Sequence, residues 1–335
     1  MRDFLRIGLI GCGAMGQLHL DLWRKIEGVA VVAISDAMPG RAVQIAKQEG
    51  ARGYDSLEAM LEAGGLDAVD ICTPSGLHSG QGLLAARNGL HILCEKPLDV
   101  SLKQADIMLD ECLRNNVRLG CVFQRRGFRG AQQVARMVQE GRMGRIISCS
   151  AAIKWWRDPE YYKSGGWRGT LALDGGVLSN QAIHALDHLC WLAGRVVEVE
   201  YACLSTLCHE MEAEDNALAV LRFESGARGV LEATTCCSPD LCSRLEIYGE
   251  NGSALFDDAQ LVRLGFNGRD CMDEIEQDME CIGGRSDPMA LNSRGHEVIF
   301  RDFVDAIKTG RAPLVDASQA RMSLEALDMI YKKAM

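Results

Sequence analysis

The chain has 335 residues, of which 47% are hydrophobic and 24% charged, a balance that excludes a disordered polypeptide. The length exceeds what one core usually spans, so about two domains are expected. The net charge of −10 excludes general binding to nucleic-acid phosphate, and no apolar run approaches the ~20 residues a membrane span needs.

The first 124 residues alternate strand and helix signals. The N-terminal run MRDFLRIGLIGCGAMG passes straight into glycines with no cleavage site, so it reads as a first strand, Phe4–Ile10, and not as a signal peptide. Ala14–Glu27 has helical periodicity, and Val29–Ser35 is a continuous buried-strand run. A helix at Arg41–Glu49 begins just after Pro39, and Ser56 opens another. Ala68–Cys72 and His91–Cys94 are further strands. Ser101 with Gln104 forms a capping box before a helix to about Asn115, and Val117–Phe123 is counted as the sixth strand. Strands separated by helices imply right-handed crossovers and a parallel sheet covered on both faces.

The rhythm changes near residue 125, which places the boundary between a dinucleotide-binding domain (1–124) and a substrate and oligomerisation domain (125–335). A helix at about Phe128–Glu140 leads through Gly141 and Gly144 to a strand at Ile146–Ile153. An aromatic and basic stretch, Trp155 to Thr170, precedes a helix from about Gly176 to Ala193. Closely spaced strand runs at Ala217–Phe223, Arg228–Ala233, Arg244–Tyr248, Gly252–Phe256 and Gln260–Leu264 imply an antiparallel sheet. Residues 267–293 read as a polar loop, and helices at about His296–Thr309 and Ser318–Lys333 close the chain.

Gly11-x-Gly13-x-x-Gly16 lies between a predicted strand and a predicted helix, with Ala14 and Met15 inside the turn. Gly11 makes the tight turn, Gly13 lets backbone N–H groups approach a pyrophosphate, and Gly16 lets helix and strand pack closely. The helix N-terminus then faces the phosphates. Asp36 ends the second strand, where a carboxylate accepts from ribose hydroxyls and repels a 2′-phosphate. NAD is the expected cofactor; Arg41 nearby leaves NADP open as the lesser choice.

Ligands bind outside the carboxyl ends of such strands. Thr73-Pro74 follows the fourth strand and Glu95-Lys96-Pro97 the fifth. Lys96 there can polarise a hydroxyl, with Pro97 restricting its backbone to extended conformations; a solvated surface lysine is the plainer alternative. On a continuous helix, Asn180, His184 and Asp187 share one face. His184 is a candidate base, Asp187 orients its ring or pairs nearby, and a packed or capping histidine is the alternative. Arg125, Arg126, Arg157 and Arg168, with Trp155, Trp156, Tyr161, Tyr162 and Trp167, suit an anionic, sugar-like ligand or else a solvated arginine face over an aromatic core.

The fourteen cysteines include no Cys-x-x-Cys pair and read as reduced, buried thiols. No Tyr-x-x-x-Lys, HExxH or Gly-x-Ser-x-Gly pattern is present, and no metal is expected.

GLIGCGAMGQLHL, Asp36, TPSGLH (73–78), CEKPL (94–98) and DGGVLSNQAIHALDHL (174–189) together resemble the Gfo/Idh/MocA family of oxidoreductases. The resemblance spans nearly the whole chain. It implies a Rossmann domain, a C-terminal α/β domain with an open, mainly antiparallel sheet, and a homodimer or homotetramer formed through that sheet. By position, Lys96 and His184 match the family's catalytic pair, and Asn180 falls where many members have aspartate. Asp174 replaces the first glycine of a usual triple. Asn180 and YYKSGGWRGT (161–170) look like the nucleotide-sugar 3-dehydrogenase branch. The resemblance thus implies a cytoplasmic oxidoreductase acting on a secondary hydroxyl or ketone of a sugar, polyol or nucleotide sugar. An inositol or simple aldose dehydrogenase, or a non-catalytic NAD-binding sensor, are the alternatives. Its implied cofactor site comprises Gly11, Gly13, Ala14, Met15, Gly16, Asp36, Thr73, Pro74, His78, Glu95 and Lys96. The implied substrate site comprises Lys96, Arg126, Arg157, Tyr162, Trp167, Arg168, Asn180, His184 and Asp187.

Overall fold

The computed structural model describes residues 4–275 and 293–335 and divides into two compact units. The first begins with β1 (Leu5–Ile10), α1 (Ala14–Trp23), β2 (Val29–Ser35), α2 (Arg41–Glu49), β3 (Arg52–Tyr54) and α3 (Leu57–Ala63). It continues with β4 (Ala68–Ile71), α4 (His78–Arg87), β5 (His91–Cys94), α5 (Leu102–Arg114) and β6 (Leu119–Cys121). The sheet runs β3-β2-β1-β4-β5-β6 with every pair parallel. The order reverses between β1 and β4, so the loops after these strands flank the crevice where such sheets bind ligands. Helices α3 and α5 start where Ser56 and Ser101 accept N–H bonds from Ala59 and Gln104. β3 is three residues long and carries no apolar run, which is why periodicity does not reveal it.

The second unit starts with a 3-10 turn at Gln124–Gly127, followed by α6 (Arg129–Gln139), β7 (Ile146–Lys154), α7 (Pro159–Lys163), α8 (Val177–Asn180) and α9 (Ile183–Ala193). Then come β8 (Val196–Ser205), β9 (Asn216–Phe223), β10 (Arg228–Thr234), β11 (Cys242–Gly249), β12 (Gly252–Asp257), β13 (Gln260–Phe266) and β14 (Arg269–Asp270). Its sheet runs β14-β13-β12-β11-β7-β10-β9-β8, antiparallel throughout except where β10 pairs with β7. Burial alternates along β9, β10 and β11, the signature of a sheet covered on one face. Helices α6 and α9 pack on that face.

The helix expected over residues 176–193 is two helices. Ala182 N–H reaches back five residues to Val177 O, and Ala185 N–H reaches only three to Ala182 O. The ladder changes step there, so the spacing rule that put Asn180 on one face with His184 and Asp187 does not hold.

The chain ends with α10 (Arg294–Thr309) and α11 (Ala317–Ala334). Residues His296–Arg321 cluster with the first unit and Met322–Met335 with the second, so a single cut at 124/125 does not describe the chain. The cause is the apolar face of α10. Phe300 lies edge-on to His19, with ring centroids 4.8 Å apart, and tilts against Trp23 at 4.4 Å. Phe303 lies against Gly120 of β6. Of the expected loop over 267–293, residues 276–292 lie outside the described residues.

Candidate functional site

The glycine loop after β1 is shaped by contact distances. Gly11 has φ +91°, and a Cβ there would meet Cys72 O at 2.9 Å. At Gly16 a Cβ would meet Gly11 O at 2.1 Å, so only glycine lets α1 pass this close to the strand end. A Cβ at Gly13 would meet nothing within 4 Å; Gly13 and Ala14 are exposed, and no side chain caps α1. An uncapped N-terminus fronted by open backbone fits a dinucleotide pyrophosphate. Asp36 holds the loop: its Oδ2 accepts from Cys12 N–H at 2.8 Å and its Oδ1 from Met38 N–H at 2.8 Å. Arg41 lies 3.8 Å from the same carboxylate and so pairs with it.

Thr73, Pro74, Glu95 and Lys96 occupy the ends of β4 and β5, as the sequence places them. His78 is different. It is buried, with Nδ1 2.8 Å from Pro97 O and Nε2 2.8 Å from Thr73 O, so its ring ties the two loops together. Burial lowers its pKa despite both carbonyls.

Behind Glu95 lies a charged cluster that the sequence reading missed. His19 of α1 is fully buried, with Nδ1 2.9 Å from Asp70 Oδ2 and Nε2 3.1 Å from Glu95 Oε1. Trp23 Nε1 donates to Asp70 at 2.7 Å. Burial works to deprotonate His19, but the charge of Asp70 and the bonds to it outweigh burial and hold its pKa well above an ordinary histidine's. Burial likewise works to raise Glu95. The bond from His19, with the charges of His19 and Lys96, instead holds Glu95 at about 2. An imidazolium donates through both nitrogens, so a carboxylate on each side is the arrangement that keeps it charged. Glu95 Oε2 in turn accepts the Lys96 backbone N–H at 3.1 Å. The available signal was Asp70, a carboxylate inside the apolar strand AVDI, which has to find a partner once buried.

In the second unit, Arg126 and Asp187, both expected to bind substrate, are fully buried and bonded to each other. Nε donates to Oδ2 at 2.8 Å and Nη2 to Oδ1 at 2.7 Å, and the guanidinium lies 5.0 Å over Trp191. This corrects both residues to a core ion pair. Burial raises the Asp187 pKa, against the opposing charge of Arg126. His188 is pushed down to about 3 by burial and by Arg125 and Arg126, and is a neutral core residue.

His184 opens α9 and is nearly buried. Asn180 ends α8 and donates through Nδ2 to Asp174 Oδ1. Asp174 is itself buried and takes the Gly169 N–H at 2.8 Å. The two departures from the family pattern are thus partners.

The 155–168 stretch is interlocked. Arg168 donates to Tyr161 Oη at 2.6 Å and lies 4.2 Å from the Tyr161 ring centroid and 4.5 Å from that of Trp167. Arg157 is buried over Trp155. Tyr162 is also buried and donates to Thr235 Oγ1 at 3.0 Å, which corrects it to a core residue. Arg168 and Trp167 keep partial exposure.

Residues 5–123 match the family model described as an oxidoreductase family with an NAD-binding Rossmann fold, and residues 131–255 match the GFO/IDH/MocA C-terminal domain. A myo-inositol 2-dehydrogenase of Thermotoga maritima is 26% identical over 96% of this chain and 93% of its own. The WlbA dehydrogenase of Bordetella pertussis, solved with NADH and UDP-GlcNAcA, is 31% identical with a TM-score of 0.84, covering 99% of this chain and 96% of that one. The Chromobacterium violaceum WlbA dehydrogenase, solved with the same ligands, is 30% identical with a TM-score of 0.88, covering 100% and 94%.

Two predictions follow from the buried charges. Protonated His19 contributes stability that is complete below about pH 6.5 and is lost as pH rises through its higher folded pKa. Glu95 has the opposite sign: its contribution is complete above 4.5 and is lost as pH falls through about 2. Urea unfolding of His19→Gln will show a stability loss of about 3–5 kcal/mol at pH 6 and no alkaline decline of this origin. A variant that keeps the wild-type pH profile would refute the charged state. Arg126→Met leaves Asp187 unpaired and will cost about 3–5 kcal/mol of unfolding free energy, with Asp187→Leu in the same chain restoring most of it. If Arg126 instead served only substrate binding, stability would stay constant and KM alone would rise.

Proposed function

Because the chain belongs to the Gfo/Idh/MocA oxidoreductases, we propose that it oxidises or reduces a secondary alcohol of a nucleotide sugar or uronate, using NAD. The observation that carries the substrate class is the similarity, over essentially the full chain and at 30–31% identity, to two dehydrogenases solved with UDP-GlcNAcA. The Asn180–Asp174 pair supports it against an inositol dehydrogenase, whose pattern has aspartate at position 180.

The residues that hold the cofactor are Gly11, Gly13, Ala14, Met15 and Gly16 around the N-terminus of α1, with Asp36 at the ribose and Thr73 and Pro74 after β4. NAD, when bound, supplies the hydride acceptor. His184 takes the proton of the substrate hydroxyl, and Lys96 stabilises the developing alkoxide. Glu95, through the Lys96 backbone, and His19 behind it fix the segment from which that ammonium extends. Asn180 positions the substrate hydroxyl. With Arg126 and Tyr162 withdrawn into the core, Arg168, stacked between Tyr161 and Trp167, is the remaining half-exposed cation for a carboxylate or diphosphate.

The open face of the eight-stranded sheet supports a homodimer or larger assembly. Ser150, Val230, Val220 and Tyr201 form one row across β7, β10, β9 and β8. Val230, Tyr201, Leu218 and Tyr248 are exposed there, between charges already paired within the chain.

A panel of uronates, inositols and nucleotide sugars, read as NADH formation, tests the reading. Turnover is expected on UDP-linked uronic acids and is to fall about 100-fold or more in Lys96→Met and in His184→Asn, while NAD affinity stays near wild type. Turnover confined to inositols would replace the substrate class; near-normal rates in both variants would remove the proposed roles. Light scattering is expected to give a dimer or larger species that Tyr201→Glu with Val230→Glu converts to a folded monomer. A monomeric wild type would overturn the assembly.

A further inference from the structure

All thirteen cysteines among the described residues are free thiols, and most of those in the core pack as small hydrophobes. Two stand apart. Cys208 is exposed in the loop between β8 and β9, and Cys236 is half-buried just past β10. With Asp215, their ligand atoms all lie within 4.8 Å of one another.

Asp215 folds this loop. Its Oδ1 accepts from Leu207 N–H at 2.8 Å, and its Oδ2 accepts from Cys208 N–H at 2.8 Å and His209 N–H at 2.9 Å. The His209 ring adds a contact to Oδ2 at 3.0 Å, and its other nitrogen faces Arg157 O at 2.9 Å. The carboxylate and imidazole are therefore committed to holding the loop. A divalent cation would have to take Asp215 away from bonds that shape the backbone. The sulfurs are held more loosely: Cys236 Sγ makes a long contact to the Asp215 backbone O at 3.8 Å. Cys236 is fixed on the sheet side, where its residue bridges Trp156 and its N–H donates to Thr234 Oγ1 at 3.1 Å. Its neighbour Cys237 turns elsewhere, with Sγ toward Pro239 O.

We propose that Cys208 and Cys236 form a peroxide-oxidisable dithiol that closes to a disulfide within one chain. The Cys208 sulfur attacks an oxygen of hydrogen peroxide as its thiol proton is released; a sulfur–oxygen bond forms, the O–O bond breaks, and the departing hydroxide takes up that proton and leaves as water. The Cys236 sulfur then attacks the Cys208 sulfenic acid. The S–S bond forms, the S–O bond breaks, and a second water leaves with the remaining thiol proton. Two thiols are oxidised by two electrons and one peroxide is reduced to two waters. The order follows from the surroundings. Burial and the hydrogen bond with Cys208 push the Cys236 thiol up to about 12, so it keeps its proton and donates to its partner. Closing to an S–S length of about 2.05 Å requires movement, which the exposed loop bearing Cys208 supplies. The bond would pin that loop to the strand bridging Trp156.

The test is treatment of the full chain with hydrogen peroxide, then alkylation and peptide mass mapping. Expected is a loss of about 2 Da in one chain, mapped to a Cys208–Cys236 link. The link is to disappear in Cys208→Ser and in Cys236→Ser, persist in Cys237→Ser, and be reversed by dithiothreitol. Cys203, exposed on β8, is the internal control for plain accessibility. Three results would each overturn the proposal. One is conversion of Cys208 to sulfinic acid while Cys236 stays alkylatable. Another is a link through Cys203, Cys237 or a second chain. The third is one equivalent of zinc shielding both thiols, which would make the cluster a metal site.

Discussion

A proton held between two buried carboxylates organises the cofactor-binding unit. Asp70 and Glu95 sit at the ends of adjacent strands, β4 and β5, where a parallel sheet presents its functional loops. Two negative charges this deep are untenable without a cation. His19, delivered by α1, supplies it, and α1 reaches that depth because Gly16 allows it to pass the end of β1. The glycine loop after β1 and the ion network that carries the Lys96 segment therefore depend on the same helix placement. Phe300 of α10 closes over His19 and excludes water, which explains why this late segment belongs to the first unit.

The second unit solves a similar problem with a different pair. Arg126 arrives from the 3-10 turn and Asp187 from the middle of α9, and their bidentate bond fixes the rotation of the helix that carries His184. Buried pairs of this kind contribute little net stability compared with apolar packing, but they admit few alternative registers. A helix buried on nearly every side, as α9 is, gains from that, since burial alone does not choose which side faces the sheet.

These two pairs also mark where the sequence stops being legible. The β1–α1–β2 fingerprint is readable because Gly11 and Gly16 answer local backbone demands and Asp36 falls at a fixed distance. The strand order follows from alternation and crossover handedness. The second unit's sheet follows from its closely spaced strand runs. His19–Glu95 and Arg126–Asp187 span 76 and 61 residues, and no periodicity encodes a pairing at that range. For the same reason the arginines of residues 125–168 look like one anion-binding group in sequence. Folding divides them into a core ion pair through Arg126, a buried stack through Arg157 and a half-exposed stack through Arg168. The break between α8 and α9 escapes notice because apolar spacing continues through it while the hydrogen-bond step changes.

The departures at positions 174 and 180 are best understood together. An aspartate at 180 would set a second carboxylate against Asp174, and one of the two would have to bind a proton to remain there. Asparagine removes the conflict by donating Nδ2 to Asp174, whose other oxygen is already held by Gly169 N–H. The amide of Asn180 is thus fixed with its nitrogen toward Asp174, leaving its oxygen as the end turned away. An amide held this way presents an acceptor to a hydroxyl but accepts no proton from it. Under the proposed function, the exchange of a proton with substrate is left to His184. What Asp174 contributes is the orientation it imposes on Asn180, the residue proposed to align the substrate hydroxyl.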